Sequence, residues 1–151
     1  MAFRFSLQPI LRLRASVERV EQLRMLLLAA QIARIQREIV SLEENLWAER
    51  QRRISSLSTG VPAAELHFEG AREKTRGDQI RALRDLLAGS RRKHEEQRLA
   101  YQAARQKKEI LENLRNRRFE EYRREQLRRE QQRLDEAFLL RTGAHRELPP
   151  P

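Results

Sequence analysis

Three features of the sequence predict an all-α chain, folded as a long antiparallel two-helix coiled coil. Ala, Glu, Leu, Lys and Arg supply 89 of the 151 residues, a composition typical of long helices. Between Pro9 and Gly60 there is no Gly or Pro to interrupt a helix. Along that stretch apolar residues recur at alternating steps of three and four, the spacing of a coiled-coil seam. Charged residues reach 36% against about 25% in ordinary domains, too many for a compact surface around a three-dimensional core. An elongated form exposes them without cost, so a packed globular enzyme is excluded as the expectation.

The first helix is expected over about 10–57. Pro9 precedes it where a fixed φ suits a first turn and the missing N–H has no helical acceptor to lose. Its apolar marks are Ile10, Leu13, Val17 and Val20, then Leu28, Ile32, Ile35, Ile39, Leu42 and Leu46. From Val20 to Ile32 the steps run four, four, four through Arg24 and Leu28. One residue added to two heptads should relax the left-handed supercoil there. At 1.5 Å per residue this helix is roughly 72 Å long.

Ser55-Ser56-Leu57-Ser58-Thr59-Gly60-Val61-Pro62 carries turn chemistry, and the turn is expected at 58–61. Pro62 then reads as the first position of a second helix over about 62–141, with Glu65 where the helix dipole favours an acid. Gly70, Gly77 and Gly89 each weaken it by about 1 kcal/mol relative to Ala without breaking it. Heptad steps from Leu87 reach Ser90, His94 and Gln97 before Tyr101, which predicts a polar stretch in the seam. Arg141-Thr142-Gly143 is read as the stop, and 142–151 as a disordered tail ending in prolines. A second helix of about 80 residues overhangs the first, with Phe119, Tyr122, Leu127, Leu134 and Phe138 continuing along the overhang. The whole, 1–151, is read as a single coiled-coil domain.

The net charge is +10, and 28 of the 32 basic residues are Arg. Arg117-Arg118, Arg123-Arg124 and Arg128-Arg129 could contact nucleic acid. Yet Glu120, Glu121, Glu125, Glu130 and Asp135 interleave with them at helical spacing, as on a solvated coiled-coil face. No aromatic stacking platform accompanies the arginines, and no nucleic-acid partner is expected. Catalysis finds no footing either. His67, His94 and His145 are far apart, and Arg98 stands where a His-Glu-x-x-His zinc motif would need its second histidine. There is no Gly-rich phosphate loop, no nucleophile elbow and no Cys, so no catalytic, metal or cofactor-binding residue is assigned. The most apolar run, Leu23 to Ala30, contains Arg24 and falls short of the ~20 residues a spanning helix needs. The first residues lack a secretory pattern, and the reading is of a cytoplasmic chain with no direct membrane insertion. Phe3, Phe5, Leu7, Ile10, Leu11 and Leu13 form an apolar lead-in to the first helix, suited to the seam, to a partner or to a membrane surface.

Two stretches carry a resemblance to a known family. The opening Met1-Ala2-Phe3-Arg4-Phe5-Ser6-Leu7-Gln8-Pro9-Ile10-Leu11-Arg12-Leu13-Arg14 has an alternating Phe-x-Phe-x-Leu lead. The segment from Lys108 through Leu114, Arg117-Arg118-Phe119-Glu120-Glu121-Tyr122 and on to Leu134-Asp135-Glu136 has an ordered Glu-Glu-Tyr and Leu-Asp-Glu combination. Together they resemble the flagellar type III export protein FliJ family, over nearly the whole chain. The resemblance implies a non-enzymatic, stalk-like component of the flagellar export apparatus, similar to the central stalk of rotary ATPases. It implies that the paired terminal helices bind the hexameric flagellar export ATPase, with Phe3, Phe5, Leu7, Leu11, Arg117, Arg118, Glu121, Tyr122, Leu134 and Asp135 on that end. It also implies a contact with the cytoplasmic domain of the export gate early in the second helix, where Arg72, Arg76, Gln79 and Leu83 correspond. Export chaperones are further implied partners, and the location implied is the cytoplasmic face of the inner membrane, peripherally held. A stalk subunit of a related secretion system or rotary ATPase, and a basic RNA-binding coiled coil, are the alternative readings.

Overall fold

A computed structural model describes residues 2–144. Two helices, α1 (Gln8–Leu57) and α2 (Ala63–Ala144), form an antiparallel hairpin, and no strand occurs among the described residues. At the start of α1 the Gln8 amide donates to Phe5 O at 3.1 Å and the Leu11 amide to Leu7 O at 2.9 Å. Pro9 therefore lies in the first turn, and the helix begins two residues earlier than its apolar pattern does.

The chain reversal is built from hydroxyls and one glycine. Last-turn carbonyls of α1 need hydrogen-bond donors. Ser55 Oγ donates to Arg52 O, Ser56 Oγ to Arg53 O, Ser58 Oγ to Ser55 O and Thr59 Oγ1 to Ser56 O, at 2.6–2.9 Å. Gly60 then takes φ +82°, a left-handed conformation open to glycine at no steric penalty. Pro62 O accepts from the amides of Glu65 and Leu66 at 3.1 and 3.3 Å, closing the first turn of α2. From there α2 runs unbroken through Gly70, Gly77 and Gly89.

It also runs past the expected stop. The helix reaches Ala144, because a lone glycine costs a helix only about 1 kcal/mol and Thr142 Oγ1 bonds back to Phe138 O and Leu139 O at 3.0 and 3.1 Å. The expected disordered tail therefore does not begin at Thr142, and its remainder, 145–151, lies outside the described residues. Among the described residues, contacts group the hairpin into two compact units, one of 2–16 with 105–144 and one of Val17–Ala104. In a two-helix structure each residue meets only those at its own level, and no third layer merges the groups.

In the unit Val17–Ala104, Ile35, Ile39 and Ile80 form the core, with Leu42, Leu46, Leu83 and Leu87 packed against it. Among the buried and half-buried positions of α1, one row runs Glu18, Glu21, Met25, Leu28, Ile32, Ile35, Ile39, Leu42 and Leu46. Their steps alternate three and four without interruption. The expected extra residue between Val20 and Ile32 is thus absent from the seam, since Val17 and Val20 face solvent, as do Ile10 and Leu13 in the other unit. Carboxylates hold the seam in their place: Gln97 Nε2 donates to Glu21 O at 3.0 Å and also to Glu21 Oε2. Ser90, 4% exposed, continues the polar stretch that the spacing on α2 predicts.

Ion pairs tie the two helices together toward the turn. Glu73 receives Arg50 Nη2 at 2.6 Å and Arg53 Nη2 at 2.7 Å, while Glu49 pairs with Arg76 and, at 3.7 Å, with Arg72. Hydrogen bonds from Arg53, then Arg50, hold the Glu73 carboxyl below its ordinary range, outweighing the opposing effect of desolvation.

Candidate functional site

In the unit of residues 2–16 and 105–144, the first residues meet α2 through aromatic rings. Phe3 lies edge-on to Phe119, with centroids 5.3 Å apart and planes at 74°, and tilted against Tyr122 at 5.6 Å and 47°. Such offset and edge-to-face geometries are the favourable ones for ring quadrupoles. Phe5 and Leu11 are buried and Leu7 half-buried. The alternating Phe-x-Phe-x-Leu lead thus precedes the helix, with Phe3 packed on the rings of α2 and Phe5 and Leu7 withdrawn from solvent.

Beside these rings opens a groove of about 690 Å³, lined by Phe3, Arg4, Phe5, Gln8, Arg115, Asn116 and Phe119. Its chemistry is mixed. Phe3 and Phe119 offer aromatic surface, while Arg4 and Arg115 add guanidinium donors suited to a carboxylate. An apolar side chain flanked by an acid would match both. Arg115 and Asn116 were not among the residues expected here. Heptad steps from Ala104 through Lys108 and Leu111 arrive at Arg115, which is the signal in the sequence that finds it.

The remaining residues expected at this end are spread along α2. Arg117, Arg118 and Glu121 are exposed. Leu134 and Asp135 lie 12 and 13 residues past Tyr122, roughly 18–20 Å along a helix, and α1 supplies no neighbour there. Leu134 is 67% exposed, and Leu127, Phe138, Leu139 and Leu140 are open as well. Asp135 accepts a long hydrogen bond of 3.5 Å from Gln131. The structure therefore groups Phe3, Phe5 and Tyr122 with Phe119, and sets Leu134 and Asp135 apart on a bare helical face.

In the unit Val17–Ala104, the four residues aligned with a gate contact have different surroundings. Arg72 is exposed, 5.9 Å above the Phe68 ring and paired with Glu49. Arg76 is half-buried against Glu49, and Leu83 packs on the Ile35–Ile39–Ile80 core. Gln79 is exposed. Arg76 and Leu83 thus serve the hairpin, leaving Arg72 and Gln79 as the outward pair. Among the described residues no group of three or more His, Cys, Asp or Glu could hold a metal ion, and no helix is long and apolar enough to cross a membrane.

Compared with known families, the chain matches the model described as Flagellar FliJ protein over residues 3–147. No curated protein and no solved structure matches it.

Proposed function

We propose, on the premise that this chain belongs to the flagellar FliJ protein family, that its joined chain ends bind the hexameric flagellar export ATPase. Membership makes the chain a component of the flagellar export apparatus, structural in role. The observation that carries the ATPase reading is Phe3 seated between Phe119 and Tyr122. This attachment makes one surface out of the first residues and the Phe119–Tyr122 turn of α2, and α2 continues from it with Leu127, Leu134 and Phe138 uncovered. Large apolar side chains on a surface are normal singly, whereas a run of them on one bare helix supports a partner.

The mechanism needs no chemistry from this chain. A ring of ATPase subunits that binds the chain better than free subunits do is shifted toward the assembled, active hexamer. The aromatic groove and the bare stretch of α2 supply that differential affinity, and the arginines along α2 steer it toward an acidic lining. The second partner is the cytoplasmic domain of the export gate, met through the outward Arg72 and Gln79, which holds the chain peripherally at the cytoplasmic face of the inner membrane. Export chaperones are a third class of partner for the same apparatus.

The test is ATP hydrolysis by the cognate export ATPase below its saturating concentration. Adding the chain should raise the rate, with no hydrolysis by the chain alone. Equal rates with and without it would overturn the proposal.

A further inference from the structure

The unit Val17–Ala104 carries a second ordered surface that the hairpin does not use. On α1, Leu26, Ala33, Val40, Trp47 and Ile54 recur at intervals of seven and are all exposed, Trp47 by 66%. Leu28, Ile35 and Leu42 of the buried seam recur at the same interval. The outer stripe therefore keeps a constant angle to the seam and follows any supercoil, as the contact line of a further helix must. It extends for 28 residues, roughly 42 Å.

Beside it runs a charge ladder. Arg84, Arg91 and Arg98 on α2 are again seven apart and exposed. Arg84 reaches across to Glu43 of α1, and Trp47, Glu43, Arg81 and Arg84 line one shallow groove. Arg91 and Arg98 therefore follow on the same side of the hairpin as the apolar stripe. Arg98 is held by Glu95 of its own helix at 2.6 Å, whereas Arg91 forms no ion pair among the described residues. Each guanidinium has five N–H donors, so the ladder retains donors beyond those pairs.

We propose that this face docks one amphipathic helix of another protein, its apolar ridge on Leu26, Val40, Trp47 and Ile54 and its acidic flank on Arg84, Arg91 and Arg98. Charge complementarity selects the occupant. A second copy would bring its own arginines against the ladder, which like-charge repulsion opposes. A stripe that holds its angle to the seam and follows the supercoil suits a helix rather than the flat surface of a membrane. The site is separate from the chain-end groove and from Arg72 and Gln79, so it stands whether or not those bind the ATPase and the gate.

Trp47 is the only tryptophan of the chain and reports occupancy through its fluorescence. The probe is a synthetic 28-residue peptide, about four heptads, with Leu at the ridge positions and Glu on both flanks. Titrated into the full chain, it should shift Trp47 emission to the blue saturably, and a Lys-flanked version should bind at least tenfold more weakly. Arg91→Glu with Arg98→Glu, at unchanged ellipticity, should invert that preference, while Val40→Gln should weaken both peptides. The proposal is overturned if neither peptide moves Trp47, or if both bind equally to the unmodified chain. It is also overturned if anionic vesicles produce the shift and the peptide does not, or if emission changes with the chain's own concentration as dimers appear in sedimentation.

Discussion

Truncating Phe3 tests whether the aromatic contacts fasten the first residues to α2. Phe3→Ala removes two ring contacts, the edge-on one with Phe119 and the tilted one with Tyr122. Each is worth about 0.5–1.5 kcal/mol beyond the area it buries, so the attachment should weaken by about 1–3 kcal/mol. The effect is local, because Phe3 lies outside the helix and its ring partners belong to the same unit. A suitable reporter is the Leu11 amide, bonded to Leu7 O at 2.9 Å in the first turn of α1. Its hydrogen exchange should quicken by about 5- to 150-fold, given that about 1.4 kcal/mol is tenfold. Tyr122→Ala alone should reproduce part of this, and the double variant should fall short of the sum by about 0.5–1.5 kcal/mol, the coupling of the lost pair. An exchange rate altered by less than about twofold, below the smallest effect two such contacts allow, would refute the attachment. Strictly additive single effects would refute the direct Phe3–Tyr122 contact.

Three further outcomes follow from the hairpin itself. Ile35→Ala should cost about 2–5 kcal/mol as a buried core truncation, whereas Val20→Ala, on the exposed stripe, should stay within about 0.5 kcal/mol; thermal melts followed by helicity compare them, and equal losses would restore the seam through Val20. Gly60→Ala should destabilise by about 1–2 kcal/mol, since its φ is +82° and nothing lies within 4 Å of an added Cβ, so an unchanged melting temperature would contradict the left-handed turn. Glu73 has a folded-state pKa below its unfolded value of 4.5, so its contribution is present above that pH and is lost as pH falls through the folded value. The melting difference between the unmodified chain and Glu73→Gln should accordingly be largest near neutrality and narrow below pH 4.5, and a gap that widens in acid would refute the pairing with Arg50 and Arg53.

The hairpin was legible in the sequence wherever apolar spacing and helical register agree. Ile35, Ile39, Leu42 and Leu46 fall on the seam because each is both β-branched or Leu and correctly spaced, and Gly60 with its flanking hydroxyls marks the reversal. Upstream the two signals separate. Ile10, Leu13, Val17 and Val20 form a well-spaced apolar row, yet the register continued from Leu28 passes through Met25, Glu21 and Glu18, and packing follows the register. Composition alone does not announce that Glu21 lies in a seam, because its partner Gln97 is 76 residues away. The same holds for the candidate site. Phe3, Phe5 and Tyr122 stand out as aromatics in a chain with few and Arg115 is reached by heptad steps from Ala104, whereas Asn116 looks like an ordinary surface residue until α2 is laid beside the first turn of α1. Leu83 shows the reverse case: alignment by position suggests a docking residue, and its packing on Ile80 and Ile35 gives it to the core.

Binding of the export ATPase by the first residues joined to α2, with a different part of α2 serving the gate, is the proposed role. Its most direct test is the affinity of the purified ATPase, and separately of the gate's cytoplasmic domain, for the full chain carrying Phe119→Ala with Leu134→Ala. Both side chains are exposed, so helicity should be preserved. ATPase binding should weaken by at least about 1.4 kcal/mol, the tenfold level, with gate binding unchanged, and Arg72→Glu with Gln79→Glu should give the opposite pattern. ATPase binding that stays within about twofold of the unmodified chain at full helicity, or equal losses of both interactions in both variants, would contradict it.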